Sequence, residues 1–499
     1  MIRFFYKTGR VSIGSLALVL GACGGGGDTS LAPPVATSVT ANSSTSLTAV
    51  AGAAVTELPS VIVKDQRGAA MAGVPVTFAV TSGGGTITGS SVTTNAFGVA
   101  TVGGWTLGTV AGSNSLTAST SGLTPVTFTA TGTAGGSLVF AGVSAGGIHT
   151  CGLTTGGAAY CWGDNHFSQL GNGTMANGST TPGPVAGGLT FATVRAGAYH
   201  SCGLTTGGVA YCWGRNVAGE LGNGSTTSSS APVPVSGGLS FTAVSAGLDF
   251  ATVDAGGGAH SCGLTTSGAA YCWGGNSRGQ LGTGSTASSS VPVLVSGGLS
   301  FVVVSAGDGF TCGLTTSGTA YCWGGNSFGQ LGIGSTADSP TPAVVVGGHT
   351  FATVNAGSGW TCGVTTTGAA YCWGANGAGV LGNGSTTNSS APVPVSGGLS
   401  FVVVSAGGAH TCGVTTGAAG YCWGDNTFGQ LGSGSTINTS VPVAVSGGLG
   451  FAALSTGSGH TCGVTSSGTA YCWGYNAHGE LGSGMTSHRA VPTKVVGQP

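Results

Sequence analysis

Tyr321-Cys-Trp-Gly-Gly-Asn-Ser-Phe-Gly-Gln-Leu-Gly-Ile-Gly334 decides the fold, because it recurs. Cys-Trp-Gly begins at residues 161, 212, 272, 322, 372, 422 and 472, seven copies about 50 residues apart that fill the chain from Phe140 onward. A fixed period of this size marks a stacked architecture, solenoid or propeller, in which each unit buries its faces only against its neighbours. Within one copy, Phe301–Ser305, Thr311–Thr315, Thr319–Trp323 and Pro342–Val346 read as β-branched or aromatic strands between Gly-rich turns. Four short strands per unit make one blade of a β-propeller.

Each copy also holds two cysteines ten positions apart: Cys151 and Cys161, Cys202 and Cys212, Cys262 and Cys272, Cys312 and Cys322, Cys362 and Cys372, Cys412 and Cys422, Cys462 and Cys472. Folding the third copy about the loop Thr266-Ser267-Gly268 sets Cys262 opposite Cys272. The two then form a non-hydrogen-bonded cross-strand pair with Cα atoms about 4.5 Å apart, inside the range a disulfide bridges. Gly fills the third loop position in six copies (157, 208, 268, 318, 368 and 468); the sixth copy has Gly417-Ala418, and a shifted turn is expected there. The Cys-x2-Cys clusters of zinc and redox sites are missing from the sequence, so seven disulfides, each within its own repeat, are the expectation.

The first residues support an oxidising destination. Arg3, Lys7 and Arg10, an apolar run from Val11 to Leu20, and then small residues follow the plan of an export signal, with an apolar run too short to span a bilayer. Leu20-Gly21-Ala22-Cys23 resembles the lipobox of bacterial lipoproteins, which implies a signal peptide over 1–22 and a lipid anchor on Cys23. Gly24, where an Asp would favour retention, implies the outer membrane; the expected location is therefore the bacterial cell envelope, where disulfides form. Charged residues make up 4% of the chain against 102 glycines, which argues against helices with ion-pair faces. From Cys23 on, 7 basic and 11 acidic residues leave a net charge of −4, which excludes a phosphate-backbone binder and hence a nucleic-acid partner.

After a flexible linker over 23–31, residues 32–133 alternate apolar and polar positions in Val61–Val63, Val74–Val80 and Val126–Thr131, with turns about every ten residues. This pattern predicts a β-sandwich. It resembles the immunoglobulin-like domain of invasin and intimin type, with Trp105 as the aromatic core residue, and the resemblance implies a spacer. A propeller over 137–499 completes an all-β chain: a seven-bladed β-propeller preceded by an immunoglobulin-like β-sandwich.

The repeated string, with its preceding Ala406-Gly-Gly-Ala-His410 element, resembles the regulator of chromosome condensation repeat, whose members form seven-bladed propellers. Departures are Ser168, Glu220, Val380 and Glu480, and the third copy carries an extra stretch, Phe241–Phe250, before a second version of the same strand at Ala251–Gly256. A looped-out strand and a local blade irregularity both fit. Trp162 and its equivalents are read as plugs between blades, and Asn165 and its equivalents as turn residues. Histidine stands two places before the first cysteine in five copies (149, 200, 260, 410, 460), with Phe310 and Trp360 in the other two. A position that accepts Phe and Trp reads as packing plus a backbone hydrogen bond rather than as a ring of metal ligands.

The repeat region holds only eight acidic residues and sets no nucleophile beside a base, so no catalytic residue, metal or cofactor is assigned. The competing reading is a hydrolase or lyase whose Asp164, Glu220, Asp425 and Glu480 converge with several histidines at the propeller mouth. Guanine-nucleotide exchange is implied by the resemblance alone, and fold analogy does not carry function. The expected activity is binding of a protein or glycan by a monomeric, membrane-anchored chain. The repeats differ at Phe167, Tyr199, Arg215, Arg278, Phe310, Phe328, Trp360, Phe428 and Tyr475, and aromatic and Arg side chains of this kind dominate recognition surfaces. These nine residues are the expected binding face.

Overall fold

The computed structural model describes residues 33–108, 112–133, 138–175, 178–247 and 259–498; these residues form strands and turns with no helix. Cys23 and residues 1–22, the expected signal peptide, lie outside the described residues. The chain divides into two compact units that part between Gly135 and Gly136.

In the first unit, one sheet orders the strands Ala36–Ala41, Ser60–Asp65 and Val99–Thr101. A second orders Ser46–Val50, Val126–Thr133, Gly112–Ser119, Pro75–Ser82 and Ser91–Thr93. Alternation along the strands, as expected, turns Val76 and Phe78 of one strand and Leu116 and Ala118 of its neighbour inward, where they meet Val61 and Val63 of the other sheet. Trp105, fully buried, joins Phe78 and Phe128 in that core.

The second unit is seven four-stranded antiparallel sheets, each built from one repeat in chain order. In the fourth, Phe301–Ala306 pairs with Phe310–Thr315, that strand with Ala320–Gly324, and the last with Ser339–Val344. The fourth strand therefore starts three residues earlier than the apolar run suggested. Val345 and Val346 instead leave the sheet, their amides donating to the carbonyls of Ala320 and Gly332. We number these blades 1 to 7. Blade 3 takes the first of its two candidate inner strands, Phe241–Ala246, which pairs with His260–Thr265; the second version, 251–256, lies outside the described residues.

All seven cysteine pairs are bridged within their own blades. Cys151 bonds Cys161, Cys202 bonds Cys212, Cys262 bonds Cys272 and Cys312 bonds Cys322. Cys362 bonds Cys372, Cys412 bonds Cys422 and Cys462 bonds Cys472. Cys262 and Cys272 face each other with Cα atoms 4.0 Å apart, as the hairpin count required. Thr265 N donates to Ala269 O and Gly268 N to Thr265 O, with Gly268 in the left-handed region at φ 80°. The sixth hairpin corrects the expectation of a shifted turn. Thr415 N donates to Ala419 O and Ala418 N to Thr415 O in the same loop, and Ala418 itself takes φ 64°. A Cβ in that conformation costs about 1–2 kcal/mol, partly offset by the looser unfolded chain of a glycine. Ala418→Gly should therefore raise stability by about 0.5–1 kcal/mol, read as a higher guanidinium midpoint at unchanged m-value.

The blades pack through seven similar apolar clusters. The disulfide of one blade, with the Leu or Val beside it, meets the Phe and Trp of the next: Cys312, Cys322 and Leu314 bury Phe351 and Trp373. Cys151 and Cys161 receive Phe191 and Trp213 in the same way, Cys202 and Cys212 receive Phe241 and Trp273, and Cys262 and Cys272 receive Phe301 and Trp323. Beyond blade 4, Cys362 and Cys372 meet Phe401 and Trp423, and Cys412 and Cys422 meet Phe451 and Trp473. Cys462 and Cys472 bury Phe140 and Trp162, which closes the ring from blade 7 to blade 1. The tryptophans thus act as the inter-blade plugs the sequence suggested, all seven fully buried. Close approach also explains the glycine after each Leu: a Cβ on Gly222 would lie 2.7 Å from the Trp273 ring.

Candidate binding face

Because each sheet is an antiparallel meander, its first and third connections lie at one end and the tight, disulfide-clipped hairpins at the other. The third connection is rigid by construction. In blade 3, Asn276 Oδ1 accepts from Leu281 N at 2.8 Å while its Nδ2 donates to the carbonyls of Ser285 and Ala287. Asn276 is fully buried, so the residue read as a turn former is a staple for the loop between Gly274 and Ser289. Two residues further along the loop, in every blade but the fifth, where Val380 has no side-chain acceptor, one backbone amide is held by a buried Gln or Glu. Gln169 accepts from Phe167 N, Gln330 from Phe328 N and Gln430 from Phe428 N, each at 2.9 Å. Glu220 and Glu480 do the same for Ala218 and His478, so the two Glu departures keep the loop's function.

That frame fixes the backbone of one variable residue per loop and leaves its side chain outside. Phe167, Phe328 and Phe428 are 41%, 50% and 36% exposed, and Arg278, at the same loop position in blade 3, reaches blade 4 with Nη1 3.3 Å from Ser327 Oγ and 3.9 Å from the Asp338 carboxylate. Residues of the first connection reach across the joint to meet them. Tyr199 packs edge-on against Phe167 at 5.1 Å between ring centres, and Arg215 lies over Tyr199 at 5.9 Å while binding Glu220. At the joint of blades 6 and 7, Phe428 meets Tyr475 edge-on at 4.9 Å, and Tyr475 stacks on His488 at the same separation. His478 and His488 are members of this aromatic group that the repeat comparison missed. His488 substitutes for Ser288 and Asn438 as the acceptor for the loop's first amide, a position whose variability was the available signal.

Two of the nine expected residues do not belong here. Phe310 and Trp360 are 0% and 4% exposed. They occupy the histidine position, which points into the joint between blades, and there the packing reading holds while its hydrogen-bond partner is different from the expected backbone group. His149 Nε2 lies 2.7 Å from Ser201 Oγ of the next blade, and Ser201 Oγ donates to Gln169 O. Since the hydroxyl proton is spent on that carbonyl, the imidazole must be the donor, which sets the Nε2–H tautomer. His200 with Ser261, His260 with Thr311, His410 with Thr461 and His460 with Thr150 repeat the arrangement. Trp360 supports the assignment, since its indole N–H, which can only donate, bonds Thr411 Oγ1 at 3.0 Å. Burial pushes His149 and His410 down to about 4 and His200 and His460 to about 3.

The four carboxylates of the enzyme reading sit in four different loops, each engaged near its own position. Asp164 binds Gln169 and His166, Asp425 binds Gln430, Glu220 binds Arg215, and Glu480 binds His478. Among the described residues no group of three or more His, Cys, Asp or Glu side chains is placed to hold a metal ion.

A closed ring of seven four-stranded sheets that shows variable side chains on one end of a constant frame is a seven-bladed β-propeller. The description "RCC1-like domain" matches residues 252–498, and the "Regulator of chromosome condensation (RCC1) repeat" matches 140–169, 156–204, 191–220 and 207–253. The repeat region belongs to the regulator of chromosome condensation repeat family. The human "Probable E3 ubiquitin-protein ligase HERC4" is 43% identical over 65 residues, a match that covers 13% of this chain and 6% of that protein. The chain thus spans only a small fraction of the curated relatives it matches. Human WBSCR16 superimposes with a TM-score of 0.59 at 21% identity, covering 66% of this chain and 87% of its own. Prp20p of Saccharomyces cerevisiae superimposes with the same score at 20% identity, over 69% and 87%. Both likenesses concern the fold.

Proposed function

We propose that the propeller is a non-catalytic recognition module for a protein or glycan ligand, carried at the bacterial cell envelope by a lipid anchor on Cys23 and held off the membrane by an immunoglobulin-like spacer, residues 32–133. One observation carries this reading: loops of near-identical construction present Phe167, Arg278, Phe328 and Phe428 outward at one end of the ring, with Tyr199, Arg215 and Tyr475 beside them. A frame kept constant while its exposed aromatic and Arg positions change from blade to blade is the arrangement of a binding surface, since such side chains give large contact area at low entropic cost. The signal-like first residues and the disulfides support the envelope as the place of action.

The test uses the mature chain against native envelope proteins by cross-linking pull-down and, in parallel, against an array of envelope glycans. A variant with Phe167, Tyr199, Phe428 and Tyr475 all changed to Ser should keep its melting transition and lose at least about 30-fold in affinity for whichever ligand is found, the equivalent of one hot-spot residue. Undiminished binding by that variant removes this face as the site. Radiolabelled palmitate absent from the mature chain removes the anchor.

A further inference from the structure

The inner strands of the seven blades surround a central cavity of about 480 Å3. They are joined side to side by a belt of hydrogen bonds, in which a side chain on one blade accepts from a backbone amide on the next. Ala196 N donates to Ser144 Oγ, Ala306 N to Ser245 Oγ, Ala356 N to Ser305 Oγ, Ala406 N to Asn355 Oδ1, Thr456 N to Ser405 Oγ and Ala145 N to Ser455 Oγ, at 2.6–3.1 Å. Six joints are closed in this way. The seventh, between blades 2 and 3, has Arg195 where the others have Ser or Asn, and Arg offers no acceptor. Among the described residues nothing accepts from the Ala246 amide, and the Arg195 side chain forms no hydrogen bond or ion pair.

Among the described residues, the break gathers donors without acceptors. Arg195 and Ala246 both line the cavity, and no other described residue of its lining carries a charge. Ser144, Ser245, Ser305 and Ser455 each use their oxygen as an acceptor in the belt, which leaves their hydroxyl protons free to donate. We propose that the break in the belt, Arg195 with the Ala246 amide, is a binding site for a small oxyanion, the phosphate or carboxylate group of a molecule that fits within the channel. Water reaches Arg195, yet the surrounding walls strip its charge of bulk hydration and lower its proton affinity, a cost that an anion beside it would offset. The site is separate from the rim face of the proposed function, and neither depends on the other.

Replacing Arg195 by Ser separates a ligand site from a packing accident, because Ser would supply the acceptor found at the other joints. Titration calorimetry at low ionic strength with inorganic phosphate and with acetate, and with glucose as an uncharged control, should show saturable binding of at least one anion to the wild-type chain. Arg195→Ser should weaken it by about 10-fold or more, the loss of one charge-assisted hydrogen bond. The same variant, free of ligand, should melt about 1–2 °C higher as the introduced hydroxyl takes up the Ala246 amide. No anion binding by the wild type, or equal binding by Arg195→Ser, overturns the proposal; a variant that melts lower overturns the account of the open joint.

Discussion

Refolding the chain in the presence of dithiothreitol should leave the propeller unfolded or molten at about 37 °C, while the oxidised protein is native. Each disulfide closes a loop between cysteines ten positions apart, for which chain entropy predicts about 2.8 kcal/mol of stabilisation. The tight turn already restrains each hairpin in the unfolded chain, so a sum on the order of 10 kcal/mol is the reasonable scale. That is comparable with the entire stability of a typical domain. The loss is also a packing loss, since each bridged pair is part of the surface on which the next blade's Trp and Phe sit. Adding the reductant to folded protein should act slowly, because the sulfurs are buried and must first be exposed by opening of the ring. Circular dichroism and the emission of the nine tryptophans, all buried, report both effects. Coincident melting of oxidised and reduced chains, or free thiols found by mass spectrometry in the oxidised protein, would defeat the expectation.

Acid should be the second strong destabiliser, with a steep fall in stability between pH 6.5 and 4. His149, His200, His410 and His460 are held neutral inside the joints, at about 4, 3, 4 and 3, whereas in an unfolded chain they titrate near 6.5. Their folded values are depressed, so below pH 6.5 the unfolded chain binds protons that the native one refuses. Stability is then fully present above pH 6.5 and drains away as pH falls towards the folded values, by about 1.4 kcal/mol per pH unit for each histidine. At pH 5 the four together remove on the order of 8 kcal/mol.

The cause is geometric. With Nε2–H already donating to a hydroxyl, protonation would place a second N–H at Nδ1, and Nδ1 of His149, His410 and His460 is buried with no partner among the described residues. Glu480, raised by burial, acts in the opposite sense: its contribution is present at low pH and fades as pH rises through its folded value, so it softens the acid slope without reversing it. Urea unfolding at pH 7, 6 and 5 measures that slope. His410→Phe, copying Phe310 of blade 4, should reduce it by about a quarter, the share of one proton in four. A stability that stays level from pH 7 to 5 contradicts the buried neutral state.

The blade was legible because its defining contacts are local. Cysteines ten apart, a Gly in the left-handed loop position and alternating apolar residues specify a hairpin with little reference to the rest of the chain, so the register of Cys312 against Cys322 and the four strands per repeat followed from spacing. Even here Ala418 shows a limit. The neighbouring strands hold the sixth hairpin in the common turn although its residue disfavours it, and local preference alone pointed the other way.

The candidate binding face was legible in part. Phe167, Phe328, Phe428 and Arg278 were found by their variation, but variation alone could not separate them from Phe310 and Trp360, which vary because a buried joint accepts His, Phe or Trp. Sequence by itself determined the period, the disulfide-clipped hairpins and the strand content, all matters of residues within about a dozen positions of one another. Tertiary structure alone decided which side chains face a neighbouring blade, the channel or the rim. Contacts such as His149 with Ser201, or the Ala196 amide with Ser144 Oγ, join residues about 50 positions apart, and their geometry comes from the stacking angle of whole sheets rather than from any local pattern.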